Sequence, residues 1–110
     1  TFSTDWPVSN VDPINCISNA LNRQVWVEGQ FDQRLSLIDT LKAYTIGGAY
    51  AEFKEHKKGL IQKNYLADIV VLSDRIDLLN KDQLSNLKVI STIVDGKLVY
   101  SSDQKLEGAN

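Results

Sequence analysis

The sequence predicts an α+β fold, with helices in the first half of the chain and a small antiparallel sheet in the second. Residues 66–72 form a short apolar run rich in β-branched side chains, which favours a strand. Further along, two apolar runs flank Asp95-Gly96, a pair that suits a two-residue type I′ hairpin turn because both turn positions need a positive φ. We therefore expect residues 66–100 to form one sheet. Because the run at 66–72 lacks polar alternation, we expect it to be the central strand and to be covered on both faces.

Composition and charge limit the class of protein. A length of 110 residues with 43% hydrophobic content fits one packed domain. The net charge of −2, with both signs mixed along the chain, argues against nucleic-acid or membrane partners, and no apolar run is long enough to span a bilayer. The single Cys16 excludes an internal disulfide and is compatible with a reducing, cytoplasmic compartment. Since the sequence contains no Met and starts abruptly, we expect it to be a piece of a longer chain.

The first half contains the signals of two main helices. Asp12 has the residue type of an N-cap and Pro13 that of a first helical position, and apolar residues follow at helical spacing to about Arg23. Residues 24–33 have mixed polarity and are expected to form a loop. A second helix is expected to begin after Ser36, which together with the acidic residue three positions later resembles a capping box.

The end of the second helix and the segment before the sheet are less regular. Gly47-Gly48 predicts a break or a tight packing contact, because each glycine costs a helix about 1 kcal/mol relative to Ala. We expect a short helical piece at residues 49–53, a brief strand at 59–61 and a turn in which Asn64 adopts the left-handed conformation. The last residues, 101–110, are expected to fray.

Several segments together resemble one known family, in the same order as in that family. They are residues 3–8 (STDWPV), 34–45, 49–51, 58–61, 66–72 (LADIVVL) and 92–100 (TIVDGKLVY). These segments are similar to the C-terminal part of a metal-dependent amidohydrolase, most closely to the branch called amidohydrolase family 3. The resemblance extends over nearly the whole chain.

The resemblance implies an architecture for the parent enzyme. Such enzymes are (β/α)₈ barrels with a smaller β-sandwich that is assembled from both chain ends. Residues 1–55 would then be the end of the barrel, with residues 1–4 closing its last strand and the helices covering it. Residues 56–110 would be the C-terminal share of the composite sandwich.

The resemblance also implies a reaction and a site. Asp5 matches the family's aspartate at the end of the last barrel strand, which contacts a divalent metal, expected to be zinc. There it accepts a proton from the hydrolytic water and passes it to the leaving nitrogen. Trp6, beside it, is a weaker candidate for lining the pocket of a small amide-type substrate. Without the resemblance, Asp5 would be interpreted as an ordinary turn residue.

The other metal ligands of the family lie upstream of this segment. His56 is the only histidine, and the cationic residues of the run 54–58 disfavour metal binding there. Because one carboxylate cannot hold a catalytic zinc, which takes about three protein ligands, we expect the isolated chain to bind no cofactor and to be inactive. An autonomous α+β interaction or scaffold module, without catalysis, is the alternative interpretation.

Three more residues and one surface property complete the predictions. Cys16 is expected to be a buried small hydrophobe, Trp26 to pack in the core or at a helix end, and Asp68 to make a structural hydrogen bond at the start of its strand. If the strands that complete a sandwich are absent, open sheet edges and apolar helix stripes should make the isolated chain self-associate, most simply as a symmetric dimer.

Overall fold

A computed structural model describes residues 1–103 of the chain, and most of the segment predicted to fray lies outside that range. The elements in chain order are α1 (Pro13–Asn22), α2 (Leu37–Tyr44), α3 (Ile46–Ala51), β1 (Ile69–Leu72), a 3₁₀ turn (Leu84–Asn86), β2 (Val89–Val94) and β3 (Lys97–Ser101). The predicted α+β class, with the sheet in the second half, is confirmed. Among residues 1–103, no helix has both the length and the apolar character needed to cross a membrane.

Both predicted helix starts are confirmed by their capping bonds. The Asp12 carboxylate accepts a hydrogen bond from the Ile14 N–H at 2.9 Å, and Pro13 occupies the first turn of α1. At α2, the Ser36 hydroxyl accepts from the Asp39 N–H at 3.1 Å and donates to the Asp39 carboxylate at 2.6 Å. Each cap satisfies a backbone donor that the first helical turn leaves unpaired.

The helices share a small apolar core with the 3₁₀ turn. Ile17 and Leu21 of α1 pack on Leu84, and all three are buried. Partly buried residues from α2 and the neighbouring connection surround them: Leu37, Leu41, Tyr44, Ile76 and Leu79. This arrangement explains why the apolar stripe of α1 has helical spacing, since only one of its faces meets the core.

The predicted helix break occurs just before the two glycines, not at them. Thr45, with φ −118° and ψ −97°, separates α2 from α3, and both glycines lie inside α3. The predicted helical piece at 49–53 is therefore shifted to Ile46–Ala51. The expected tight contact is found at Gly47, where a Cβ atom would lie 2.9 Å from the Lys42 carbonyl oxygen.

Two predicted strands do not form, and one predicted turn does. Residues 59–61 form no strand and residues 58–60 are a bend, because Gly59 has φ +96° and its α-carbon approaches the backbone of Ile46 so closely that a Cβ would lie 2.9 Å away. Residues 1–4 belong to no strand either, and the Phe2 N–H donates instead to the carbonyl of Ala43 at the end of α2, at 3.2 Å. Asn64 has the predicted left-handed conformation, with φ +70°.

The sheet is antiparallel, in the order β1-β2-β3. The predicted hairpin is confirmed, with a two-residue turn in which Asp95 has φ +49° and Gly96 has φ +75°. The expectation that residues 66–72 form a central strand covered on both faces is wrong. The strand β1 has four residues and lies at an edge, and Val70 is 54% exposed. Within residues 1–103, the helices pack on one another, but none packs closely on the sheet.

The register defines two faces of the sheet. Val70, Thr92 and Tyr100 are directly opposite one another across the three strands, and we call this side the Tyr100 face. Ile69, Ile93 and Leu98 are likewise opposite one another on the reverse side, which we call the Leu98 face. Because no helix covers either side, both faces expose apolar side chains.

Two residues that precede β1 accept hydrogen bonds from the turn of the hairpin. The Asp68 carboxylate accepts from the Asp95 N–H at 2.8 Å, and the Ala67 carbonyl accepts from the Gly96 N–H at 3.0 Å. The predicted structural role of Asp68 at the strand start is thereby confirmed. The carboxylate stabilises the turn because it pairs a backbone donor that the two-residue connection leaves free.

Candidate functional site

The candidate site is a tight turn between the first residues and α1. The Val8 N–H donates to the Asp5 carbonyl oxygen at 2.8 Å, which closes a four-residue turn whose Trp6–Pro7 peptide bond is cis. Outside the turn, the Ser9 hydroxyl donates to the Thr4 carbonyl oxygen at 2.7 Å. These two bonds fix the backbone on both sides of Asp5.

Asp5 itself has an uncommon backbone conformation. Its φ is +49°, in the left-handed region that Asp tolerates better than most residues because its short side chain is polar. Its N–H donates to the Ser3 hydroxyl at 3.2 Å. The side chain is exposed, and among residues 1–103 its carboxylate accepts no hydrogen bond. The turn therefore presents an anionic group whose acceptor positions are all free.

The turn is attached to the helical core through the residues that precede it. In addition to the Phe2 to Ala43 hydrogen bond, the Phe2 ring meets the Tyr44 ring edge to face, with centroids 5.6 Å apart. Burial, and secondly the neighbouring Cys16 thiol, raise the pKa of Tyr44 to about 12. Tyr44 is therefore neutral near pH 7 and serves as a packing surface that positions the start of the chain.

The structure places Trp6 in the same turn as Asp5 but gives it no packing role. The indole is 67% exposed, so it projects from the turn into solvent. An exposed aromatic ring beside an unpaired carboxylate can contact the apolar part of a ligand that the carboxylate contacts through its polar part. The predicted role of Trp6 in lining a substrate pocket stays a prediction.

The metal-ligating residue types are dispersed. Within the described range, no three His, Cys, Asp or Glu side chains come together as a group that could hold a metal ion. His56 lies in the exposed charged turn at 54–58, as predicted. It is not part of the turn that contains Asp5. A carboxylate oxygen is a suitable ligand type for a divalent cation, but a catalytic zinc takes about three protein ligands, so Asp5 alone does not make a metal site.

Apart from the Asp5 turn, a polar hollow lies between α3 and the start of the sheet. The sequence analysis did not identify it. It has a volume of about 240 Å³, and Glu52, Lys58 and Asp68 are among its lining residues. Glu52 and Lys58 form an ion pair of 2.7 Å across it, and the hydrogen bond from Lys58 lowers the pKa of Glu52. Gly59, the residue after Lys58, lies close to α3, and this tertiary contact has no local sequence signal.

Two predictions for individual side chains need correction. Trp26 does not pack in the core or against a helix end. It lies in a loop and is 88% exposed. With Phe31, it lines an open hollow of about 400 Å³ formed by this loop. Cys16 is partly exposed rather than buried, because it lies at the edge of α1 near Tyr44 and the core is filled by Ile17 and Leu21.

Comparison with known proteins gives one family. A family model described as "Amidohydrolase family" matches residues 1–100, a range that includes the Asp5 turn and all but the last residue of the sheet. Protein LONG AFTER FAR-RED 3 of Arabidopsis thaliana is 35% identical over 106 residues, which cover 90% of this chain and 17% of that protein. YtcJ of Bacillus subtilis (strain 168), which is named as a candidate amidohydrolase, is 31% identical over 102 residues, or 88% of this chain and 19% of that protein. The chain thus spans less than a fifth of each relative. No solved structure matches it significantly.

Proposed function

The chain belongs to the amidohydrolase family, and we propose that it is the C-terminal segment of a metal-dependent hydrolase that cleaves non-peptide carbon–nitrogen bonds in small molecules. Support comes from the family match over residues 1–100 and from the similarity to YtcJ. Because the chain covers only a small part of its relatives, the proposed activity is that of a longer protein of which this chain is one part.

Asp5 is the residue to which we assign chemistry in this segment. The observation that supports the assignment is its turn, where hydrogen bonds to Ser3, Thr4 and Val8 fix the backbone while the carboxylate is left exposed and unpaired. A carboxylate without internal partners can contact a metal ion and can accept a proton. If it were a structural residue, we would expect its oxygens to accept backbone hydrogen bonds, as those of Asp12 and Asp68 do.

In the proposed reaction, Asp5 takes a proton from the attacking water and delivers it to the leaving nitrogen. A divalent metal, zinc in our proposal, would lower the pKa of the bound water to about 7 and would be held by Asp5 together with ligands outside this chain. The fixed turn holds the Asp5 backbone in place, so the exposed carboxylate reaches its two successive proton-transfer partners from a fixed origin. Trp6 contacts the apolar part of the substrate.

The structural part of the proposal assigns residues 1–55 to the end of a barrel and residues 56–110 to a composite sandwich. It is supported by the open sheet, since the helices pack on one another and on the 3₁₀ turn at Leu84–Asn86 and leave both faces of the sheet without a covering helix. An open sheet with apolar residues on both sides is what a segment of a larger β-sandwich would show. A cytoplasmic location stays a prediction.

The test of the function is a substitution in the longer protein. Asp5→Asn keeps the size of the side chain and tolerates the left-handed conformation, but it removes the charge and the proton acceptor. Hydrolysis of a panel of N-acylated amino acids and cyclic ureides is measured with added Zn²⁺ or Mn²⁺. We expect kcat to fall about 100-fold or more, in the range lost with a general acid–base group.

Asp82→Asn is the matched control, because Asp82 is also exposed and its side chain makes no hydrogen bond within the described range. This control should hydrolyse the panel at the rate of the parent protein. If Asp5→Asn is as active as Asp82→Asn on every substrate that the parent protein cleaves, Asp5 has no role in the reaction.

A further inference from the structure

The peptide unit between Thr4 and Asp5 is held at both ends by serine hydroxyls. The Ser9 hydroxyl donates to the Thr4 carbonyl oxygen at 2.7 Å, and the Ser3 hydroxyl accepts from the Asp5 N–H at 3.2 Å. The carbonyl and the N–H of one peptide unit share a plane, because the bond between them does not rotate freely. The two serines therefore fix the orientation of this plane. The hydrogen bond from the Val8 N–H goes to the Asp5 carbonyl, which belongs to the next peptide unit.

The orientation of this plane bears on the direction of the Asp5 side chain. Asp5 has φ +49°, whereas the preferred regions of an L residue have φ between about −50° and −160°. Release of the plane would let φ relax by about 100° or more towards those regions. Since a rotation about the N–Cα bond turns the side chain relative to the residues before it, such a relaxation would re-aim the carboxylate.

The loop that contains this peptide is anchored on both sides. Before it, the Phe2 ring packs edge to face on the Tyr44 ring of α2. After it, the Asn10 carboxamide oxygen accepts from the Asp12 N–H at 3.0 Å, immediately before α1. The Ser9 hydroxyl closes the loop between these anchors. All of these contacts are formed within the chain, so they do not depend on the surfaces that it leaves open.

We propose that Ser9 is a positioning residue for the Asp5 carboxylate, which it holds through the Thr4 carbonyl. The inference rests on the proposed function, in which Asp5 transfers protons. Of the two serines, Ser9 makes the better bond, because 2.7 Å is the optimum for O–H···O whereas 3.2 Å is long for N–H···O. Displacement of a catalytic group by about 1 Å can cost about 100-fold in rate. A hydroxyl that does not touch the substrate can therefore affect the reaction.

The kinetic test compares Ser9→Ala with Ser9→Thr, which keeps the hydroxyl, in the longer protein and on the same substrate panel. Ser9→Ala should lower kcat about threefold to tenfold, the factor that corresponds to one hydrogen bond. It should change KM by less than about twofold, because Ser9 acts on the carboxylate and not on substrate binding. Ser9→Thr should retain at least about half of the parent's kcat.

Ser85→Ala is the matched control. Ser85 is exposed like Ser9, and its hydroxyl also donates to a backbone carbonyl, that of Asp82, at 3.3 Å. It lies in the 3₁₀ turn, outside the Asp5 loop. Ser85→Ala should therefore leave both kcat and KM at the values of the parent protein.

The Asp5→Asn variant separates this inference from the proposed function. In that background, Ser9→Ala should cost less than about twofold in kcat, because a residue that acts only through the carboxylate has nothing left to position. If Asp5→Asn retains the parent activity, the proposed function fails and the positioning role fails with it. If Asp5→Asn is impaired but Ser9→Ala is not, only the positioning role fails. The same holds if the two losses multiply in the double variant.

The backbone of Asp5 gives a readout that does not depend on activity. A positive φ brings the amide and α protons of one residue closer together than the preferred negative values do, so the nuclear Overhauser effect between them is stronger. Asp5 and Asp95 both have φ +49°, but Asp95 is bonded to Asp68 and not to Ser9. In the 110-residue chain with isotope-labelled aspartate, Ser9→Ala should weaken this effect at Asp5 and leave it unchanged at Asp95, the internal control for folding. An unchanged effect at Asp5 overturns the inference.

Discussion

The hairpin turn offers the most direct test of how the sequence determines the sheet. We consider Gly96→Val, at the second turn position, where φ is +75°. A Cβ atom added at Gly96 would have no atom within 4 Å apart from its chain neighbours, so the site itself has room for a side chain. We therefore attribute the effect to the backbone, because a β-branched residue resists a positive φ.

The expected magnitude follows from that restriction. A residue with a side chain costs about 1–2 kcal/mol in the left-handed region relative to its preferred conformations, so Gly96→Val should lower the free energy of unfolding by about 1 kcal/mol or more. For a domain of this size, that loss corresponds to a fall in the melting temperature of about 4 °C or more. The assay is thermal or urea unfolding followed by circular dichroism at one fixed protein concentration, because association raises apparent stability.

Gly48→Ala is the matched control. Gly48 also has room for a Cβ atom, with nothing within 4 Å, but it lies inside α3 and its φ is not in the left-handed range. Alanine should therefore stabilise the chain by about 0.5–1 kcal/mol there, since glycine is the poorer helix former. The two substitutions should have opposite signs. If Gly96→Val leaves the unfolding midpoint unchanged, the reasoning about the turn is refuted.

Two further predictions concern the sheet and the metal. Asp68→Ala should lower the free energy of unfolding by about 1–2 kcal/mol, because it removes the acceptor 2.8 Å from the Asp95 N–H. Asp68→Asn keeps a carbonyl acceptor and should lower it by less. Equal losses of the two variants in urea unfolding would contradict this role. The isolated 110-residue chain should retain no stoichiometric zinc after dialysis and should hydrolyse no amide, since one carboxylate supplies too few ligands for zinc. Elemental analysis that finds about one tightly held zinc per chain would contradict this prediction.

The features that were predictable from the sequence depend on neighbours within a few residues. The caps at Asp12 and Ser36 form because each side chain reaches a backbone N–H two or three residues away. The turn at Asp95-Gly96 depends only on the conformations that these two residues permit. Asn64 likewise adopts a conformation that its own side chain tolerates. Local chemistry was sufficient in all of these cases.

The features that were not predictable depend on contacts between distant segments. Residues 66–72 have the composition of a covered strand, but coverage depends on which element packs against it, and no described helix does. The expected strand at 59–61 is replaced by a bend because Gly59 packs against α3. The exposure of Trp26 is equally a matter of what lies beside the loop, which residue type does not determine.

The candidate site divides in the same way. Composition and spacing could not distinguish Asp5 from an ordinary turn residue, and only the resemblance to a family gave it a role. The structure adds the fixed turn and the unpaired carboxylate, which are compatible with that role. The remaining ligands of a catalytic metal would have to come from outside this chain, so neither its sequence nor its fold could provide them.

The central claim is that this chain is one segment of a longer metal-dependent hydrolase. Sequencing the full-length transcript that encodes it tests that claim most directly. We predict a reading frame that continues upstream of Thr1 for several times the length of this chain and encodes a His-x-His pair within a barrel sequence. A start codon immediately before Thr1, with no such pair in the frame, would contradict the claim and favour the autonomous interaction module.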